Sequence, residues 1–150
     1  NIIKSLAYSF EKPMVVMDSL SLMAAPALDK FENILCIINA YKNMVYFSVY
    51  QNSKLTQGPA VVKVADLESV LTGMSGNILC LGDGYKAYEK VLTPTLKSRL
   101  FREESVSDYP SDQTLGLVAI PQAKLNKTIE WNSFVPLYLR ASEAEENLKN

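Results

Sequence analysis

The sequence predicts an α/β fold in which a mixed sheet carries helices on its flanks. Three observations lead there. Residues 33–51, NILCIINAYKNMVYFSVYQ, read as two strands joined by a short turn. Strand-like and helix-like segments then alternate as far as residue 124. Hydrophobic residues make up 48% of the 150 residues and charged ones 21%, which supplies a core for one ordinary globular domain.

The elements follow in order. Ile2, Ile3, Leu6, Ala7 and Phe10 recur at helical spacing. The chain starts with Asn and no capping residue precedes this pattern, so an N-terminal part is expected to be missing. Lys12-Pro13 ends the helix, because the residue before proline is pushed to extended geometry. Residues 14–17 (Met-Val-Val-Met) are expected as a short strand. Asp18 or Ser19 then caps a helix over 20–28, with Leu20, Met23, Ala24 and Ala27 on one face and Pro26 able to shorten it.

The run from Ile34 to Ile38 is apolar throughout, as in a strand buried on both faces. Residues 45–50 are β-branched and aromatic, and Asn39-Ala-Tyr-Lys-Asn43 supplies the turn. Residues 52–59 read as a turn-rich connection and 60–64 as a third strand. Asp66 is a cap for a helix over 67–72 that buries Leu67, Val70 and Leu71, closed by Gly73 and Gly76. Residues 77–81 form another buried strand, ending in Gly82-Asp83-Gly84. A helix over 85–93, with Tyr88, Val91 and Leu92 on one face, ends at Pro94. An edge strand at 100–102, a loop at 105–110, a helix over 114–124 interrupted by Gly116 and Pro121, an extended tail at 131–140 and a polar end at 141–150 complete the chain. From residue 33 the order is β-β-β-α-β-α-β-α. That is one lobe of the ribonuclease-H-like or actin-like ATPase fold, and the helix-strand-helix of residues 1–32 would be the remnant of a preceding N-terminal lobe, leaving 33–150 as the C-terminal lobe.

Composition excludes several chemistries. There is no histidine, which removes the commonest general base and metal ligand. No Cys-x-x-Cys pattern or carboxylate cluster replaces it, so no metal is expected. A net charge of -1 gives no basic face for sequence-specific binding of nucleic acid. No apolar run reaches the roughly 20 residues that span a bilayer, and no secretory signal is visible. Cys36 and Cys80 sit inside apolar strands and read as small buried hydrophobes, which suits a reducing, cytoplasmic setting.

Two motifs bear on function. Gly82-Asp83-Gly84 links a strand to a helix, so it is either a tight turn or a weak adenosine-side contact; it lacks the third glycine of a dinucleotide fingerprint and the Gly-Lys-Ser/Thr of a P-loop. The turn 39–43 lacks the carboxylate and glycine that Mg²⁺-phosphate binding needs; Asn39 is uncharged, Tyr41 is bulky and Lys42 is a lone cation. Asn39, Lys42, Gly82, Asp83 and Gly84 therefore make, at most, a vestigial nucleotide site. Glu143, Glu145 and Glu146 form a solvated acidic run, and Glu103-Glu104 joins Arg99 and Arg102 in a surface charge cluster. Tyr46, Phe47, Tyr50, Tyr85 and Tyr88 read as core and sheet packing rather than a base-stacking platform. On the first helix, Ile3, Leu6 and Phe10 are candidates for packing on another helix, either of the same chain or of a partner protein.

Four blocks together resemble one family. Lys4-Ser-Leu-Ala-Tyr8, with Lys12-Pro-Met-Val-Val16 and Asp18-Ser-Leu20, is similar to the "AKGLA…xPxxGVSSL" block of bacterial TsaB (YeaZ). Residues 34–50 resemble its "VLxxIDARxGEVYWALY" hairpin, residues 79–88 its "GxGxxxY" turn and helix, and Pro136-Leu-Tyr-Leu-Arg140 its terminal "PxYLR". The family's N-terminal Asp-Thr-Ser turn is absent, as is the "GxRIG" before the helix block. Asn39 stands for the family's Asp, Tyr41 for Arg and Met44 for Glu. The resemblance implies a non-catalytic, glycoprotease-like subunit of the machinery that makes threonylcarbamoyladenosine in tRNA. It would dimerise with a TsaD-like catalytic subunit, with a TsaE-like ATPase joining, and a homodimer is a further option. It implies no cofactor and no catalytic residue in this chain. The competing expectations are an ATP-binding actin-like enzyme and a glycoprotease-type peptidase.

Overall fold

The computed structural model describes residues 2–140. The acidic run at Glu143, Glu145 and Glu146 lies outside the described residues. The elements are α1 (Ile2–Ser9), α2 (Ser19–Ala24), β1 (Asn33–Asn39), β2 (Met44–Gln51), β3 (Lys54–Lys63), α3 (Leu67–Val70), β4 (Ile78–Leu81), α4 (Asp83–Tyr88), α5 (Pro94–Arg99), β5 (Leu100–Phe101) and α6 (Asp112–Lys124).

The strands form one five-stranded sheet in the order β3-β2-β1-β4-β5. β1, β2 and β3 pair antiparallel, while β1–β4 and β4–β5 are parallel. This is the mixed α/β lobe that the strand order predicts.

Side chains alternate across a strand, so β1 feeds two cores. Leu35 and Ile37 pack with Val45, Phe47 and Val49 of β2 and with Leu67, Leu71, Leu92 and Leu96 beneath one face. Ile34 and Cys36 pack with Tyr50, Leu79 and Leu81 against Leu20, Met23, Ala24 and Ala27 on the other. Burial on both sides explains why residues 34–38 show no polar alternation. α2 is held at its start by Asp18, whose carboxylate accepts from the Ser21 N–H at 2.9 Å and the Ser21 hydroxyl at 2.5 Å. It stops at Ala24, before Pro26.

Several expectations are corrected. Residues 14–17 form no strand: Met14 makes a single antiparallel bridge with Ile129, through reciprocal 2.8 Å bonds, and Val16 is exposed. α1 ends through Glu11, whose left-handed φ of 49° lets the Lys12 N–H close on the Ala7 carbonyl at 2.9 Å. β3 starts at Lys54, not at Ala60, because Asn52 and Ser53 (φ 49° and 62°) make the two-residue turn that reverses a hairpin tightly. Its polar, exposed first half carries no apolar signal. Asp66 does not cap α3 with its side chain; it ends a 3₁₀ turn over Val64–Asp66. The helix after Gly82 begins at Asp83 and ends at Tyr88, leaving Val91 exposed. Pro94 starts a further helix, α5, with Thr93 as its cap, since proline fits the first helical position, where no N–H is needed. No described helix is long and apolar enough to cross a membrane.

Candidate functional site

In open α/β sheets, ligands sit beyond the carboxyl ends of parallel strands. Here those ends are Asn39 of β1 and Leu81 of β4, and the structure brings Asn39, Gly82, Asp83 and Gly84 together there. Asn39, Gly82 and Asp83 have internal partners. The Asn39 N–H donates to the Asp83 carboxylate at 3.0 Å. The Asn39 side-chain oxygen accepts from the Tyr41 N–H at 2.8 Å and from the Tyr88 hydroxyl at 2.9 Å. The first of these bonds is an Asx turn, which organises a hairpin loop without glycine. Tyr41, Lys42 and Asn43 all adopt left-handed backbone (φ 58°, 49° and 56°). Lys42 sits exposed in that turn. The Arg140 guanidinium donates to the Ala40 carbonyl at 2.7 Å, tying the end of the tail to the turn.

The two glycines of the strand-to-helix turn are explained by packing. Gly82 has φ 99°, and a Cβ there would overlap the Ile37 carbonyl oxygen and meet Met23 Sδ at 3.1 Å. A Cβ on Gly84 would lie 3.0–3.2 Å from three Ile37 atoms. Both positions therefore let α4 lie directly on β1.

The Gly82 N–H donates to an Asp108 carboxylate oxygen at 2.8 Å. Asp108 also pairs with Arg102, and Arg102 donates to the Gly82 carbonyl at 3.3 Å while lying 5.2 Å from the Tyr85 ring centre. A carboxylate of the chain itself thus stands where an anion would meet this turn. Nothing in the sequence marks Asp108, and Tyr88 reads there as a packing residue rather than as a partner of Asn39. Their roles depend on separations of 26 and 49 residues, which no local spacing signals. Arg102 belongs to this latch rather than to a cluster with Glu103 and Glu104, and Arg99 donates instead to the Met74 carbonyl at 2.5 Å.

The chemistry of the buried groups is inert. Cys36 and Cys80 are free and fully buried. The pairings Leu35–Cys80 and Cys36–Leu81 put the two thiols on opposite faces of the sheet. Burial pushes the Cys80 thiol up to about 12, with nearby Arg102 pulling the other way, and burial raises Cys36 still further. Burial also raises the Tyr50 hydroxyl. Tyr46 and Tyr50 face one side of the sheet, and Phe47, Tyr85 and Tyr88 the other, so they form no common stacking platform. Among the described residues no group of three or more Cys, Asp or Glu side chains is placed to hold a metal ion. A cleft of about 720 Å³ lies between residues 134–140 and the sheet face at Ile38 and Tyr46, and its lining includes neither Asn39 nor Gly82.

α1 presents a different surface. Its inner side buries Ala7, places Tyr8 edge-on to Trp131 (ring centres 4.9 Å apart) and sends the Lys4 ammonium to the Phe134 carbonyl at 3.1 Å. The opposite side leaves Ile3, Leu6 and Phe10 at 66%, 48% and 68% exposure, with Ile2 beside them.

Comparison with solved structures fits this architecture. The fold resembles that of YeaZ. One match is a crystal structure described as an uncharacterized protein with similarity to peptidase YEAZ from Pseudomonas aeruginosa, with TM-score 0.72 and 21% identity over 93% of this chain and 64% of that one. A second is YeaZ from Pseudomonas aeruginosa, with TM-score 0.67 and 19% identity over 91% of this chain and 65% of that one. The chain thus spans just under two thirds of the length of these structures. No family model and no curated protein matches it.

Proposed function

We propose that this chain acts as a non-catalytic TsaB-type subunit. In this reading it supports threonylcarbamoyl transfer to adenosine 37 of tRNA, in the cytoplasm, by dimerising with a TsaD-like catalytic subunit that a TsaE-like ATPase joins. The observation that carries the reading is the pairing of a YeaZ-like fold with a strand-end turn in which Asn39, the Asp83 carboxylate and the Gly82 N–H are bonded internally. A lobe of this kind offers surface rather than chemistry, and α1 offers the apolar surface. Ile3, Leu6 and Phe10 are the proposed contacts, because burying an exposed aliphatic or aromatic side chain contributes roughly 1.5–3 kcal/mol. Residues 1–32 would then serve the partner-facing side and residues 33–150 the supporting lobe.

The peptidase reading that one neighbour's description brings to mind lacks a histidine base here, since the sequence has no histidine. The ATP-binding reading has its anion position at Gly82 filled by Asp108. Reconstitution tests the proposal. The protein is mixed with TsaD-like and TsaE-like subunits and tRNA, and modified adenosine is measured by mass spectrometry of nucleosides. Restoration of modification by this chain, lost in a Leu6→Asp/Phe10→Asp variant that keeps its circular dichroism, is the expected result. Modification that proceeds equally well without the chain would refute it, and so would catalytic ATP turnover by the chain alone.

A further inference from the structure

The junction of α1 with the tail carries a second feature. Tyr8, Ser9, Glu11, Glu130 and Trp131 line a cleft of about 500 Å³. Its two rings, Tyr8 and Trp131, stand at 66° with centres 4.9 Å apart, so the edge of one meets the face of the other, and both residues line the cleft. Both charged groups that line it are carboxylates, and no lysine or arginine does. Neither Glu11 nor Glu130 is paired through its side chain with a cation among the described residues. Ser9, the last residue of α1, also lines the cleft, and a helix C-terminus carries partial negative charge.

One turn back along the same helix, the matching arrangement already holds a cation. The Lys4 ammonium sits 5.9 Å from the Phe134 ring centre and donates to the Phe134 carbonyl. Residues 4 and 8 are neighbours on one helix face, as are Phe134 and Trp131 along the tail. The turn at Lys4 thus joins an aromatic ring, an oxygen acceptor and an ammonium group. The turn at Tyr8 has rings and two carboxylates but contributes no cation of its own.

We propose that this cleft is a binding site for an alkylammonium group, held over Trp131 and Tyr8 and neutralised by Glu11 and Glu130. Ring quadrupoles attract cations, and flanking carboxylates add Coulomb attraction that a neutral molecule of the same shape does not receive. The head group can arrive on a small quaternary amine or on a lysine side chain of another polypeptide, and the chemistry recognised is the same.

Trp131 is the chain's one tryptophan, so its emission reports the site directly. The protein is titrated with choline, with its neutral isostere 3,3-dimethylbutanol, and with N-acetyl-lysine methylamide. Expected are a saturable change in Trp131 emission with choline or the lysine derivative in the millimolar range, none with the isostere, and weakening by added salt. A Glu11→Gln/Glu130→Gln variant, altered at exposed positions only, should bind about tenfold more weakly. Tighter binding of choline assigns the site to a small amine; tighter binding of the lysine derivative assigns it to a polypeptide side chain. No saturable change with either cation, an equal response to the isostere, or undiminished binding by the glutamine variant overturns the proposal.

Discussion

Gly82→Ala separates a packing role for this turn from a ligand role. Gly82 has φ 99°, a region that costs an L-residue about 1–2 kcal/mol. The added methyl also overlaps the Ile37 carbonyl oxygen, which is backbone at the centre of β1 and has no rotamer through which to withdraw. Relief requires α4 to lift from β1, and overpacking of this kind costs about 1–3 kcal/mol. The sum, roughly 2–5 kcal/mol, is a large part of the ~5–15 kcal/mol that holds a domain folded. With an m-value of ~2 kcal/mol/M, the urea midpoint followed by far-UV circular dichroism should fall by about 1–2.5 M. Gly116→Ala is the control. It lies in α6 with nothing within 4 Å of a new Cβ, so it should raise stability by up to about 1 kcal/mol. A midpoint for Gly82→Ala within about 0.3 M of the parent protein would refute the argument that this glycine exists to seat α4 on β1.

Other outcomes follow from the same structure. Asp108→Ala removes the acceptor of both the Gly82 N–H and the Arg102 guanidinium and should cost about 1.5–3 kcal/mol in urea unfolding; an unchanged midpoint would mean that the latch contributes nothing. Cys80 titrates near 9 when unfolded and is pushed up to about 12 by burial, with Cys36 moved the same way, so the folded state holds these protons more tightly. Their contribution is complete below pH 9 and declines as pH rises from there towards 12, by about 1 kcal/mol per thiol per pH unit. Urea midpoints at pH 8 and pH 10 should differ accordingly, and the difference should shrink in a Cys36→Ala/Cys80→Ala variant. Both thiols should resist a disulfide reagent until the protein is denatured, because neither is accessible. Ile3→Ser and Phe10→Ser should leave stability within about 0.5 kcal/mol, as expected for exposed side chains; a larger loss would place that face against the rest of the chain.

The local pattern of residues determined much of this protein. The apolar run from Ile34 to Ile38 marked a strand covered on both sides, and the β-branched and aromatic run after it marked its hairpin partner, because burial and backbone preference act residue by residue. Asp18 as a cap and the stripe at Ile3, Leu6 and Phe10 were legible for the same reason. Elements whose signal is not apolar were misread: the polar half of β3 is strand because Asn52 and Ser53 reverse the chain, and Pro94 opens a helix where its presence seemed to close one. The state of the strand-end turn was settled by tertiary structure alone. Asp108 on Gly82, Tyr88 on Asn39 and Arg140 on Ala40 join residues 26, 49 and 100 positions apart. Such bonds exist only once the sheet has fixed its strand order, so no reading of neighbouring residues reveals that Asn39 and Gly82 are already bonded within the chain.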